Sequence, residues 1–92
     1  MRDKKKIAVL VRDRQDEALR VACGLTLAGD TVDIIILDSL LDMNNPAVAM
    51  PLEMITELEL KIYSNHPGSS FTMITLEEMA KKLLEYDVAV PY

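Results

Sequence analysis

Two short apolar runs constrain this chain more than any other feature. "IAVLV" (7–11) and "TVDIIILD" (31–38) are rich in β-branched residues, and charges flank the first on both sides. Runs of this kind read as strands buried on both faces, the pattern of a parallel sheet. Between them lies "RDRQDEALRVACGLTLAGD" (12–30), which predicts a helix of about four turns. Asp13 is its expected cap, Asp16 and Glu17 stand in its positive first turn, and Gly29-Asp30 ends it. Strand, helix and strand in this order form a βαβ unit with a right-handed crossover.

The rest of the chain continues the alternation. "SLLDMNNPAVAMPLEMITELEL" (39–60) holds Asn45-Pro46 and Met50-Pro51, each of which interrupts regular structure. A loop of about a dozen residues is expected there, then a short helix from Pro51, a residue suited to a first helical position. "LELKIYS" (58–64) alternates apolar and polar residues, predicting a third strand with Leu58, Leu60 and Ile62 on one face. In "TLEEMAKKLLEYD" (75–87), Thr75 and Glu78 make a capping box. Leu76, Met79, Ala80 and Leu83 share one face of that helix, with Glu77/Lys81 and Glu78/Lys82 as (i, i+4) pairs. "DVAVPY" (87–92) is a fourth strand stopped by Pro91. The reading is a single α/β domain over residues 1–92, a small three-layer fold with about four mostly parallel strands in βαβαβαβ order.

Composition narrows the function classes. The 92 residues carry a net charge of −5. An acidic domain without a basic stripe is a poor nucleic-acid binder, because phosphate neutralisation supplies most of that affinity. Arg2, Lys4, Lys5 and Lys6 cluster ahead of the first strand and read as a solubilising flank. No apolar run approaches the ~18 residues of a membrane span, so no membrane association is expected. The lone Cys23 has no internal disulfide partner. A reducing, cytoplasmic setting follows as the expectation.

In parallel α/β sheets, ligands bind beyond the carboxyl ends of the strands. The segments converging there are Arg12-Asp13-Arg14, Asp38-Ser39, Ser64-Asn65-His66 and Tyr92. Arg12, Asp13, Ser64, Asn65, His66 and Ser69 are therefore the candidate ligand-binding residues. His66, the only histidine, precedes Pro67, Gly68, Ser69 and Ser70. A base beside hydroxyls suits nucleophilic catalysis, but the Gly-x-Ser-x-Gly signature is absent and a solvated turn histidine is the better reading. Neither a dinucleotide fingerprint nor a P-loop is present, so no nucleotide cofactor is expected. Scattered acids around one histidine and one cysteine lack metal-ligand spacing, so no metal is expected either.

The first helix bears on partners. At 100° per residue, Ala18, Val21, Ala22 and Leu25 form the stripe expected to pack on the sheet. Leu19, Cys23 and Leu27 form a second apolar stripe, which a neighbouring subunit would cover in an oligomer. Cys23 stands mid-helix, away from the helix N-terminus that would activate it. It is a small interface residue on this reading, and the one weak candidate for a reactive group.

"KKIAVLVRD…DEALRVACGLTLAGDTVDIIILD" resembles the start of the DsrE/DsrF/DsrH-like family, small α/β proteins of sulfur relay, and "TLEEMAKKLLEYDVAVPY" is similar to its closing helix and strand. The resemblance implies a DsrE/F-like domain, half of a flavodoxin-like fold. It also implies a cytoplasmic protein assembling as homo-oligomers, or as hetero-oligomers with related small subunits, often through the first helices. Catalytic members carry a persulfide on a cysteine just after the third or fourth strand. Here that region reads "IYSNHPGSS", with no cysteine. The resemblance therefore implies a non-catalytic or accessory member binding a partner protein or small ligand. Two other readings remain open: a sulfur carrier using Cys23, and a small-anion or nucleotide-binding module using Arg12, Arg14, His66 and Ser69.

Overall fold

The structure, a computed structural model, describes residues 5–38 and 40–92. Arg2, Lys4 and Ser39 lie outside the described residues. The elements run β1 (Lys6–Val11), α1 (Gln15–Leu27), β2 (Thr31–Ile36), α2 (Pro46–Glu57), β3 (Lys61–Ser64), β4 (Thr72–Met73), α3 (Leu76–Leu83) and β5 (Val88–Pro91). They build one five-stranded sheet in the order β4-β3-β2-β1-β5, with every pairing parallel.

This topology fixes where the helices lie. The steps β1→β2→β3 move one way across the sheet, and right-handed crossovers then place α1 and α2 on one face. The return to β5, beyond β1, places α3 on the other. Side-chain alternation agrees. Val9, Val11, Ile34 and Ile36 pack with Leu19, Leu52 and Ile55 from α1 and α2. Ala8 and Ile35 face the opposite way, onto Ile74 and Met79, with Leu83 and Tyr86 alongside. The small three-layer α/β reading therefore holds.

The flavodoxin-like strand order does not. A flavodoxin-like half returns across β1 after its second strand, giving 2-1-3, whereas β3 here lies outside β2. That arrangement sets α2 beside α1 on the same face, where the two helices share a core. Among the described residues there are also five strands rather than four. β4 is only two residues long and both are exposed, too little for an alternating pattern to register.

Local departures have local causes. Asp13 does not cap α1. Its N–H, like that of Arg12, bonds to Tyr92 O and prolongs the β1–β5 contact, so Arg14 takes the cap position without a side-chain hydrogen bond. Helix α2 starts at Pro46 rather than Pro51, because Asn45 accepts from Ala47 N–H at 3.0 Å and Pro46 follows as the first helical residue. Pro51 is carried inside the helix. Leu58 belongs to the C-cap of α2 and not to β3. The capping box of α3 forms in both directions, Thr75 Oγ1 with Glu78 N–H at 3.1 Å and Glu78 Oε1 with Thr75 N–H at 3.3 Å.

The face of α3 is rotated from its expected position. Met79 is buried, while Leu76 is 63% exposed and Ala80 is also exposed. Lys82 sets its ammonium over the Tyr63 and Tyr86 rings, 4.6 and 5.7 Å from their centroids. Pro91 joins β5 instead of stopping it. Tyr92 N–H bonds to Leu10 O, so the Pro91 nitrogen falls on the outer edge, where no ladder donor is needed.

The second stripe of α1 is likewise corrected. Leu19 is 0% and Cys23 7% exposed, because α2 of the same chain lies over them. No neighbouring subunit is required to cover either residue. Of the three expected interface residues only Leu27, at 70% exposure, remains open.

Candidate functional site: the carboxyl ends of the strands

Asp38 is the hub where β1, β2 and β3 end. Its φ of 58° lies in the left-handed region, which Asp tolerates better than bulkier residues. A reciprocal clasp holds it there. Asp38 N–H donates to Asn65 Oδ1 at 2.7 Å, and Asn65 Nδ2 donates to Asp38 Oδ1 at 2.9 Å. On the other side Arg12 Nη2 lies 3.5 Å from Asp38 Oδ2, with both side chains largely exposed. Solvent screening limits such a pair to ~0–1 kcal/mol. Arg12 and Asn65 are thus brought together through Asp38.

Ser64, His66 and Ser69 form a separate, self-contained turn. Ser64 is buried, and its Oγ accepts from His66 N–H at 3.1 Å. His66 Nδ1 accepts from Gly68 N–H at 3.0 Å, which places the proton of the neutral ring on Nε2. A Cβ on Gly68 would stand 3.2 Å from the ring's Cε1, so a side chain there would require the His66 ring to shift by a few tenths of an ångström. Ser69 N–H closes the turn onto His66 O at 3.1 Å, and Ser69 Oγ accepts from Phe71 N–H, also at 3.1 Å. With Nδ1 held by the loop's own backbone, His66 is poorly arranged as a base for Ser69.

Asp13 faces a different hollow, shared with Asp16, Asp42 and Asn45. Gln15 spans that region, donating to Leu40 O at 3.0 Å and accepting from Asp42 N–H at 2.9 Å. Arg14 pairs with Glu17 at 3.5 Å and lies over the Tyr92 ring. No group of histidine, cysteine and acidic residues among the described residues is arranged to hold a metal ion.

Two features escaped the sequence pattern. One is a cleft of about 420 Å³ between the loop after β2, helix α2 and the turn after Gly68. Its apolar wall includes Leu41, Leu52 and Phe71, and "LLDM" (40–43) was its only trace in the sequence. The other is on the α3 face. Asp33, 6% exposed, accepts a 2.5 Å hydrogen bond from the Tyr86 hydroxyl. Burial first, and then the Asp33 carboxylate, push the Tyr86 phenol well above its ordinary range. A single acid inside an otherwise apolar strand was the available signal.

Cys23 is far from activated. Its Sγ lies 3.7 Å from Pro51 O, and burial pushes the thiol up from its ordinary value. Less thiolate means a weaker nucleophile and a poorer sulfur acceptor.

Fold and site together define a small parallel α/β domain with a polar clasp and an apolar cleft at its strand ends. No family model, curated protein or solved structure matches the chain. Among the described residues, no helix is long and apolar enough to cross a membrane.

Proposed function

We propose that this protein is a non-catalytic, accessory member of a sulfur-relay-type system, DsrE-like in character, which binds a partner protein or small ligand at the carboxyl ends of its strands. The observation that carries this reading is the placement of its only thiol. Cys23 lies beneath α2 with a raised pKa, while the strand-end loops present Asp38, Asn65 and His66 held by mutual and backbone hydrogen bonds. The strand ends thus have material for recognition and none for carrying sulfane sulfur.

Both alternatives lose ground on the same geometry. A carrier role for Cys23 needs an exposed thiolate. Anion binding needs free cations, yet Arg12 is paired with Asp38 and Arg14 with Glu17, and Asp13, Asp16 and Asp42 crowd the neighbouring hollow. Oligomeric assembly through the first helix is part of the proposal. Leu27 on α1, with Met50 and Met54 on α2, supplies exposed apolar surface for it.

Thiol reactivity tests the non-catalytic reading. Cys23 in the native protein should react with iodoacetamide at least tenfold more slowly than in the urea-unfolded chain at the same pH. Equal rates would mean an accessible, ionisable thiol and would refute it.

A further inference from the structure

We propose that the cleft between the loop after β2, helix α2 and the 68–71 turn binds a small neutral molecule with an apolar body and one hydrogen-bond acceptor. This rests on the reading that the strand ends are the binding side, and it specifies the ligand. The cleft holds about 420 Å³, within the ~300–1,000 Å³ usual for small-molecule sites. Ile36 and Leu52, nearly fully buried, form its floor, and Phe71 a wall. Leu40 and Met43 stand at its mouth, 50% and 55% exposed. An apolar body entering there covers side chains otherwise left in water.

Polarity decides the rest. Among the described residues, no charged side chain lines the cleft. An anion would find no cation there and a cation no carboxylate, so either would lose hydration without compensation. Ser69 and Ser70 both line the cleft, and Ser69, the less exposed of the two, supplies the orienting group. Its Oγ already accepts from Phe71 N–H, and its O–H has no acceptor among the described residues. The hydroxyl's donor is therefore still to be satisfied, and the ligand meets it with an acceptor such as a ketone or amide oxygen.

Three probes of similar size test this by methyl-resolved NMR titration of the full chain: acetophenone, ethylbenzene and benzoate. Acetophenone is expected to shift the Ile36, Leu41 and Leu52 methyls with a millimolar Kd, as befits so small a ligand. It should bind ~2–12-fold more tightly than ethylbenzene, the ratio that one neutral hydrogen bond supplies. Benzoate should bind more weakly than acetophenone. Ser69→Ala should erase the acetophenone preference while leaving ethylbenzene binding in place. If that variant disturbs the turn, the wild-type ranking still decides. No shift at saturating probe, shifts confined to methyls elsewhere, equal binding of acetophenone and ethylbenzene, or preference for benzoate would each overturn the proposal. None of these failures would alter the Cys23 reactivity result, so the two readings fail separately.

Discussion

Replacing Tyr86 with phenylalanine removes one hydroxyl and keeps the ring. The ring stays packed on the α3 face with Met79 and Leu83, and beneath the Lys6 and Lys82 ammonium groups, 5.1 and 5.7 Å from its centroid. What disappears is the 2.5 Å hydrogen bond to Asp33, a residue only 6% exposed. Hydrogen bonds to charged groups contribute ~1.5–3 kcal/mol, and removing one partner leaves the other desolvated. Tyr86 itself is only half-buried, so water reaches the vacated position in part, and the lower half of that range applies. A loss of about 1.5–2 kcal/mol corresponds to a fall in Tm of about 6–16 °C for a domain this small. Urea unfolding followed by far-UV circular dichroism measures it, with the m-value unchanged. Tyr92→Phe, which touches no buried carboxylate, is the control. A Tyr86→Phe cost below about 0.5 kcal/mol, the level of an ordinary surface change, would refute the claim that this bond anchors α3 to the sheet.

The same pair sets an alkaline limit. The folded chain holds the Tyr86 proton above the ordinary ~10 of tyrosine, while the unfolded chain releases it there. The stabilisation is therefore full below about pH 10 and lost as pH rises beyond it; urea midpoints in Tyr86→Phe should fall less steeply over that range than in wild type. Leu19→Ala should cost ~2–5 kcal/mol as a core truncation, whereas Leu27→Ala, measured at a dilution where the chain is monomeric, should stay within about 0.5 kcal/mol; a Leu19→Ala cost as small as that would return Leu19 to the surface. Thr75→Ala breaks the capping box and should cost about 1 kcal/mol, read from the urea midpoint. Gly29, at φ 102°, should resist Gly29→Ala by more than the ~0.4–1 kcal/mol such a change gains at a permissive site; a stabilised variant would contradict the backbone reading.

Strong one-dimensional patterns carried most of the fold. The apolar runs of β1 and β2, the Gly29 stop and the Thr75–Glu78 box each rest on a local cause, and each appears where those residues stand. Tertiary contacts decided the remainder. Asp13 lost its capping role to the backbone bond with Tyr92, a residue 79 positions away in the chain. Leu19 and Cys23 looked unpartnered because a helical wheel shows one helix at a time, and α2 lay hidden behind two prolines. Strand order depends on which face α2 packs against, which no periodicity encodes. At the strand ends, the convergence of Arg12 and Asn65 followed from topology. The Asp38 clasp and the cleft under Leu40 and Met43 exist only once the loops close.

Sulfur loading followed by intact mass spectrometry tests the non-catalytic claim most directly. The native protein, incubated with a polysulfide donor and desalted, should retain its original mass, while the same chain in urea should gain sulfur at Cys23. A native chain that gains the mass of one sulfur atom, with Cys23→Ser failing to gain it, would make this protein a carrier and contradict the account.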